Sequence, residues 1–122
     1  MEKIILDTNI LIEILKGDQK TIQAVEHFDR LYISAVTAME IYFRALNKQE
    51  LIKLKKFISL FNVIAINENI SNIATNLIYR YAKSHNLDIP DALIASTSID
   101  TNTPLFTYNK KDFKYITDIE LI

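Results

Sequence analysis

The residues of this chain whose types and spacing could do chemistry are acids. Asp7 stands in KIILDTNILIEILKG, where an apolar strand pattern runs into an apolar helical one. A carboxylate at the tip of a buried strand is partly desolvated, which is costly unless something pairs with it. It either caps the following helix or holds a cation. Glu40 lies in VTAMEIYFRAL, Asp91 follows Pro90, and Asn109 and Asp112 follow the run LFTY. Carboxylates gathered in one place repel each other, and without a cation some stay protonated at neutral pH. An oxygen-only donor set favours Mg²⁺ or Mn²⁺ over Zn²⁺. Such an ion lowers the pKa of a bound water and stabilises charge developing on a phosphoryl oxygen. Phosphodiester hydrolysis is the chemistry this set points to.

The elements that would have to position these acids are short apolar runs alternating with longer periodic segments. KIIL (Lys3–Leu6), LYIS (Leu31–Ser34), VIAI (Val63–Ile66), LFTY (Leu105–Tyr108) and IELI (Ile119–Ile122) read as strands. Helical spacing covers Asn9–Leu15, Lys20–Phe28, Val36–Asn47, Glu50–Phe61 and Glu68–Ser84, and Pro90 opens a helix to about Ile99 with Asp88 placed to cap it. Strands separated by helices favour a mainly parallel sheet covered on both faces. Ligands of such sheets bind outside the carboxyl ends of the strands. Asp7, Asn109 and Asp112 all follow strand ends. Glu40, about 9 Å along its helix from Ser34 at 1.5 Å per residue, leans back toward those ends because helical side chains tilt to the N-terminus.

Composition narrows the alternatives. The chain has 122 residues, 49% of them apolar, which suits one domain with a sizeable core. No apolar run approaches the ~20 residues needed to span a bilayer, and MEKIILD has no signal-peptide character. Cysteine is absent, so a cytoplasmic protein with no disulfide or thiolate site is the expectation. Net charge is −1 and the pI about 6.1. That counts against gripping phosphates with Lys and Arg alone, but a bound metal can supply the positive charge. The single glycine, Gly17, excludes glycine-rich phosphate loops.

Each acid taken alone has an ordinary structural reading. Asp7 could cap a helix, Asp91 could sit favourably in a first turn, Asp112 could cap a short turn and Glu40 could be solvated. Glu40 fits the ordinary reading least well, beside the apolar Met39 and Phe43. His27 and His85 are assigned no role. The runs KLKK and NKKD read as solvated faces.

Four segments, ILDTNILIEILKG, ISAVTAMEIYFRA, LDIPDALIASTSI and LFTYNKKDFKYI, together resemble a PIN domain of the VapC type, the toxin of bacterial and archaeal toxin–antitoxin pairs. They occur in family order and span nearly the whole chain. The resemblance implies a three-layer α/β fold with a central five-stranded parallel sheet, the first strand central and beside the fourth, and a Mg²⁺- or Mn²⁺-dependent endoribonuclease leaving 5′-phosphate and 3′-hydroxyl ends. Asp7, Glu40 and Asp91 match the three acids of the family site. At the fourth position, often Asp, this chain has Asn109, with Asp112 three residues on. Asn holds a metal less strongly, which leaves a second metal position open. Thr8, Asn9 and Thr107 are expected to orient the site through hydrogen bonds.

Ile10, Leu11, Ile14 and Leu15, with Tyr42, Phe43 and Leu46, are more apolar groups than short helices can bury, so some are expected to form a surface groove. The resemblance implies that an antitoxin segment fills it, an amphipathic helix being the expected docking mode. It also implies a homodimer, which Glu50–Phe61 or Glu68–Ser84 could supply. Single-stranded RNA is a readier target than duplex. Three other readings fit less well. A haloacid-dehalogenase-like phosphatase needs an acid where Asn9 stands, and a receiver domain lacks an acid like Glu40. A catalytically silent PIN scaffold that binds RNA or a protein would not need Asp7, Glu40 and Asp91 intact.

Overall fold

The computed structural model describes residues 2–122. Its first strand, β1 (Lys3–Leu6), is an inner strand of the sheet, and Ile4, Ile5 and Leu6 are all fully buried. Alternate side chains of a strand point to opposite faces, and here both faces are covered. Ile4 and Leu6 join Ile10, Leu11, Ile33, Ile41 and Phe106 in one core. Ile5 joins Ala92, Ile94, Ala95, Leu105 and Phe113 in the other.

From β1 the chain passes through α1 (Thr8–Leu15) and α2 (Gln19–Glu26) to β2 (Arg30–Ser34), then through α3 (Ala35–Phe43) and α4 (Lys48–Ile58) to β3 (Asn62–Ile64). Helices α5 (Glu68–His85) and α6 (Ile89–Thr101) lead to β4 (Leu105–Phe106), followed by a 3₁₀ turn at Lys110–Asp112. All pairings are parallel, in the order β3-β2-β1-β4. The chain moves from β1 outward to β3 and then crosses to β4 on the opposite side. The strand order therefore reverses between β1 and β4, where a crevice for ligands opens in such sheets.

The sheet has four strands, not the expected five. The segment Ile119–Ile122 meets β4 at a single parallel bridge, Leu105 to Leu121. Leu105 donates its N–H to Glu120 O and accepts from Ile122 N, each at 2.9 Å. No ladder can extend from there. Phe106 O accepts from Asp7 N, just after β1, and Thr107 and Tyr108, expected as strand, turn away into hydrogen bonds with the Asp7 and Asn9 side chains.

Side-chain caps set the helix limits. Helix α3 stops at Phe43 rather than Asn47 because Asn47 caps α4, accepting from Glu50 N at 2.9 Å. Asp18 caps α2 and Asp88 caps α6. With a single glycine in the sequence, the left-handed positions that end α5 and α6 fall to Asn86 (φ 58°) and Asn102 (φ 50°). Asn is the residue that tolerates this conformation best after glycine. No helix among the described residues is long and apolar enough to cross a membrane.

Candidate active site

The switch point is occupied by Asp7, which is buried. It is the N-cap of α1, its Oδ1 accepting from Thr8 N at 2.8 Å. Its Oδ2 accepts from Thr107 Oγ1 at 2.7 Å and from Asn9 Nδ2 at 3.2 Å. A carboxylate offers roughly four acceptor positions, so about one remains for something else. Capping and ligand binding, alternatives in the sequence, are compatible uses of one side chain.

Thr107 and Asn9 form a closed lattice around it. The Thr107 hydroxyl donates to Asp7 and accepts from Asn9 Nδ2 at 3.2 Å and Asn109 N at 3.0 Å. Asn9 Oδ1 accepts from Tyr108 N at 3.2 Å. Thus β1, α1 and the segment after β4 are tied together at the carboxylate.

Glu40 enters from α3. Thr8 Oγ1 donates to its Oε1 at 2.6 Å and lies 3.0 Å from Thr37 Oγ1. A hydroxyl carries one hydrogen, and the shorter, charge-assisted bond takes it, so Thr37 supplies the hydrogen of the longer one. Thr37 is buried and three residues before Glu40, on the same helix face. Sequence reasoning missed Thr37. The signal was a hydroxyl within an apolar helical run. Sequence reasoning did identify Thr8, Asn9 and Thr107, and the structure brings all three to the acids.

Asp91 lies in the first turn of α6, where its N–H is capped by Asp88 Oδ1 at 2.9 Å. Burial, then repulsion from Asp88, Asp7, Asp112 and Glu40, pushes its carboxyl up to about 7. Asp7 is also raised, by burial first and with a contribution from Glu40, against the lowering effect of its hydrogen bonds to Thr107, Thr8 and Asn9. The same field reaches Tyr115, whose hydroxyl is raised by burial and then by Asp91, Asp112 and Asp88. Among the described residues the one ion pair joins Lys16 to Glu13, so none of these acids has a basic partner. Asp112 lines a cavity with Asp91. Asn109 contributes its backbone N–H to the lattice, while its exposed side chain makes no hydrogen bond among the described residues.

This donor set fits a hard divalent cation. It is all oxygen, it is negatively charged without compensation, and Asp7 keeps an acceptor position free. No three acids or histidines among the described residues are drawn into a closed metal cage. Beside Glu40 a groove of about 500 Å³ opens, lined by Thr8, Ile12, Val36, Met39, Phe43 and Arg44.

The fold and the acidic crevice are those of a known class: residues 4–118 match the PIN domain model, and the chain belongs to the PIN-domain family. Within that family it belongs with the VapC-type toxins. It is 37% identical to Ribonuclease VapC1 of Methanocaldococcus jannaschii over 98% of this chain and 85% of that protein. It is 32% identical to Ribonuclease VapC1 of Rickettsia felis, over 98% of this chain and 94% of that one. Among solved structures, a chain of the toxin–antitoxin complex from Klebsiella pneumoniae superposes with a TM-score of 0.80 at 30% identity, covering 97% of this chain and 94% of that one.

Proposed function

We propose that this protein is an endoribonuclease toxin that hydrolyses RNA phosphodiester bonds, with Mg²⁺ or Mn²⁺ held by Asp7, Glu40 and Asp91, and that a cognate antitoxin silences it. As a VapC-type member of the PIN family it is a metal-dependent ribonuclease. The PIN match over residues 4–118 supports reading the whole chain as one domain. The observation that carries the site assignment is Asp91, half-buried, surrounded by other acids and without a basic partner. Such an arrangement is unfavourable in a protein that never binds a cation.

When bound, the cation supplies Lewis acidity toward a phosphoryl oxygen and a water of lowered pKa. The chain's own residues supply the positions. Thr107, Asn9 and the Thr8 N–H hold the Asp7 carboxylate in one orientation, and the Thr8 hydroxyl holds Glu40. Asp91 brings a carboxylate with no competing hydrogen bond among the described residues. Asp112, which shares a cavity with Asp91, is a better further oxygen donor than the exposed Asn109.

The groove beside Glu40 is the proposed antitoxin seat, since an occupant there would cover the acids. Exposed Ile52 and Leu60 on and after α4, and Tyr79 on α5, favour a homodimer through one of those helices. Light scattering on the purified protein checks this, and a monomer at micromolar concentration would remove the dimer from the proposal. We place the protein in the cytoplasm. The deciding experiment incubates it with total RNA, with and without Mg²⁺, and maps the ends. Cleavage only with the ion, leaving 5′-phosphates, is expected. Intact RNA under both conditions would reject the nuclease and favour the silent scaffold.

A further inference from the structure

Asp91 and Asp112 also line a polar cavity of about 180 Å³ whose other walls include His85, Asn86, Asp88 and Tyr115. The cation chemistry has no use for these rings. The His85 and Tyr115 rings stack with centroids 4.1 Å apart and planes 14° from parallel. Tyr81, one turn before His85 on α5, meets Tyr115 edge-on at 4.9 Å and His85 at 5.5 Å. Arg80 places its guanidinium 5.3 Å from the Tyr81 centroid. Ser84 Oγ lies 2.8 Å from His85 Nδ1, which restrains the imidazole further. Tyr81 and Tyr115 are half-buried and His85 is exposed, with Tyr115 stacked on one face of its imidazole.

Packing alone explains why Tyr81 and Tyr115 join the C-terminal segment to α5. It does not explain an aromatic stack whose last ring is exposed and borders a polar cavity at the acids. Proteins that bind single-stranded RNA use open-ended stacks of this kind, onto which unpaired bases are splayed. A cavity of this size has room for a single unpaired base rather than a larger group.

We propose that this cavity is a base subsite, in which a nucleobase next to the scissile phosphate stacks on the face of His85 opposite Tyr115 while Tyr115 and Tyr81 hold that ring in place. This rests on the ribonuclease reading above. The subsite has a chemical preference. Asp88 uses Oδ1 to cap α6, leaving Oδ2 to accept from the base. A carboxylate accepts well from the adjacent N1–H and N2–H₂ of guanine. It repels the two carbonyl oxygens that flank the single N–H of uracil. Guanine is therefore favoured over uracil at this position.

The test uses the full-length protein and short single-stranded RNAs. In the Asp7→Asn background, an RNA carrying 2-aminopurine at the flanking position is expected to lose fluorescence on binding, as the probe stacks. His85→Ala in that background should abolish the quench, and His85→Phe should restore it. In the otherwise wild-type protein, His85→Ala should raise KM about tenfold with kcat little changed, the scale of one base–aromatic stack, and His85→Phe should not. Substrates with guanine at that position should be cut faster than those with uracil. An unchanged quench and KM in His85→Ala, or a His85→Phe as defective as His85→Ala, would overturn the subsite while leaving the nuclease intact. A wild-type protein that neither binds nor cuts any RNA would overturn both.

Discussion

Asp7 caps a helix with one oxygen, anchors the segment after β4 with the other, and still keeps an acceptor position open. Replacing it by Asn leaves the shape and removes the charge. Cleavage should fall by at least about hundredfold, the scale on which enzymes slow when one electrostatic stabiliser of the transition state is removed. The thermal midpoint without metal should change little, because loss of a poorly solvated charge is offset by an amide NH₂ set against donors that Asp7 accepts from. RNA cleavage and circular dichroism on the same preparation check this, and wild-type cleavage by Asp7→Asn would remove Asp7 from the mechanism. Asp91 makes a pH prediction. Its folded-state pKa of about 7 lies above the ~3.9 of an unfolded Asp. A raised acid binds its proton more tightly in the folded state. The stability it contributes is therefore fully present below about pH 4 and lost as pH rises through about 7. Asp7 is raised as well and acts in the same direction. Metal-free protein should lose urea resistance across that window, and Asp91→Asn should flatten the slope. A flat wild-type profile would mean that the acids are not packed against each other as described.

At the scale of elements, α3 presents two unlike faces. Val36, Thr37, Ala38 and Ile41 are buried, while Met39 is 60% and Phe43 92% exposed. Side chains that exposed contribute little to folding, so they can be changed without loss of the fold. Met39→Asp with Phe43→Asp should cleave RNA as the wild type does and escape the antitoxin. Co-expression growth rescue and co-purification measure this, and full neutralisation of the double variant would exclude the groove as the docking site. Much of this layer was legible in the sequence. KIIL gave β1 with its true limits, and the apolar spacing in Glu68–Ser84 gave α5 to within a residue. β3 runs Asn62–Ile64 and ends short of the expected Ile66, and the errors around the site lay where side chains compete with backbone pairing. Thr107 and Tyr108 are good strand formers, yet the site takes them out of β4, and β4 is then too short to carry a fifth strand. Glu40 stood out as a charge in an apolar helix. Thr37 did not, because a threonine there looks neutral. His85 looked idle because its stacking partner Tyr115 is remote in sequence, and only the fold brings the two rings together.

The whole molecule is nearly neutral, with a net charge of −1, yet its acids are unevenly distributed. Asp7, Glu40, Asp88, Asp91 and Asp112 converge on one edge of the sheet, while the single ion pair among the described residues lies elsewhere. Their mutual repulsion disfavours the folded state and is weaker in the unfolded chain, where the charges separate. A cation that binds only the folded form reverses this, and by mass action it adds about 2.7 kcal/mol at a hundredfold excess over Kd. For a domain of this size that corresponds to a rise in Tm of roughly 10 °C. Mg²⁺ or Mn²⁺ at millimolar concentration should therefore raise the Tm of the wild type well beyond what Na⁺ of equal ionic strength achieves by screening. Asp7→Asn, Glu40→Gln and Asp91→Asn combined should start from a higher Tm in chelator and gain nothing from the divalent ion. Scanning calorimetry of both proteins in chelator, Na⁺ and Mg²⁺ gives the comparison. Equal divalent shifts in the two would mean that the ion acts elsewhere on the surface and that the edge acids do not hold the metal.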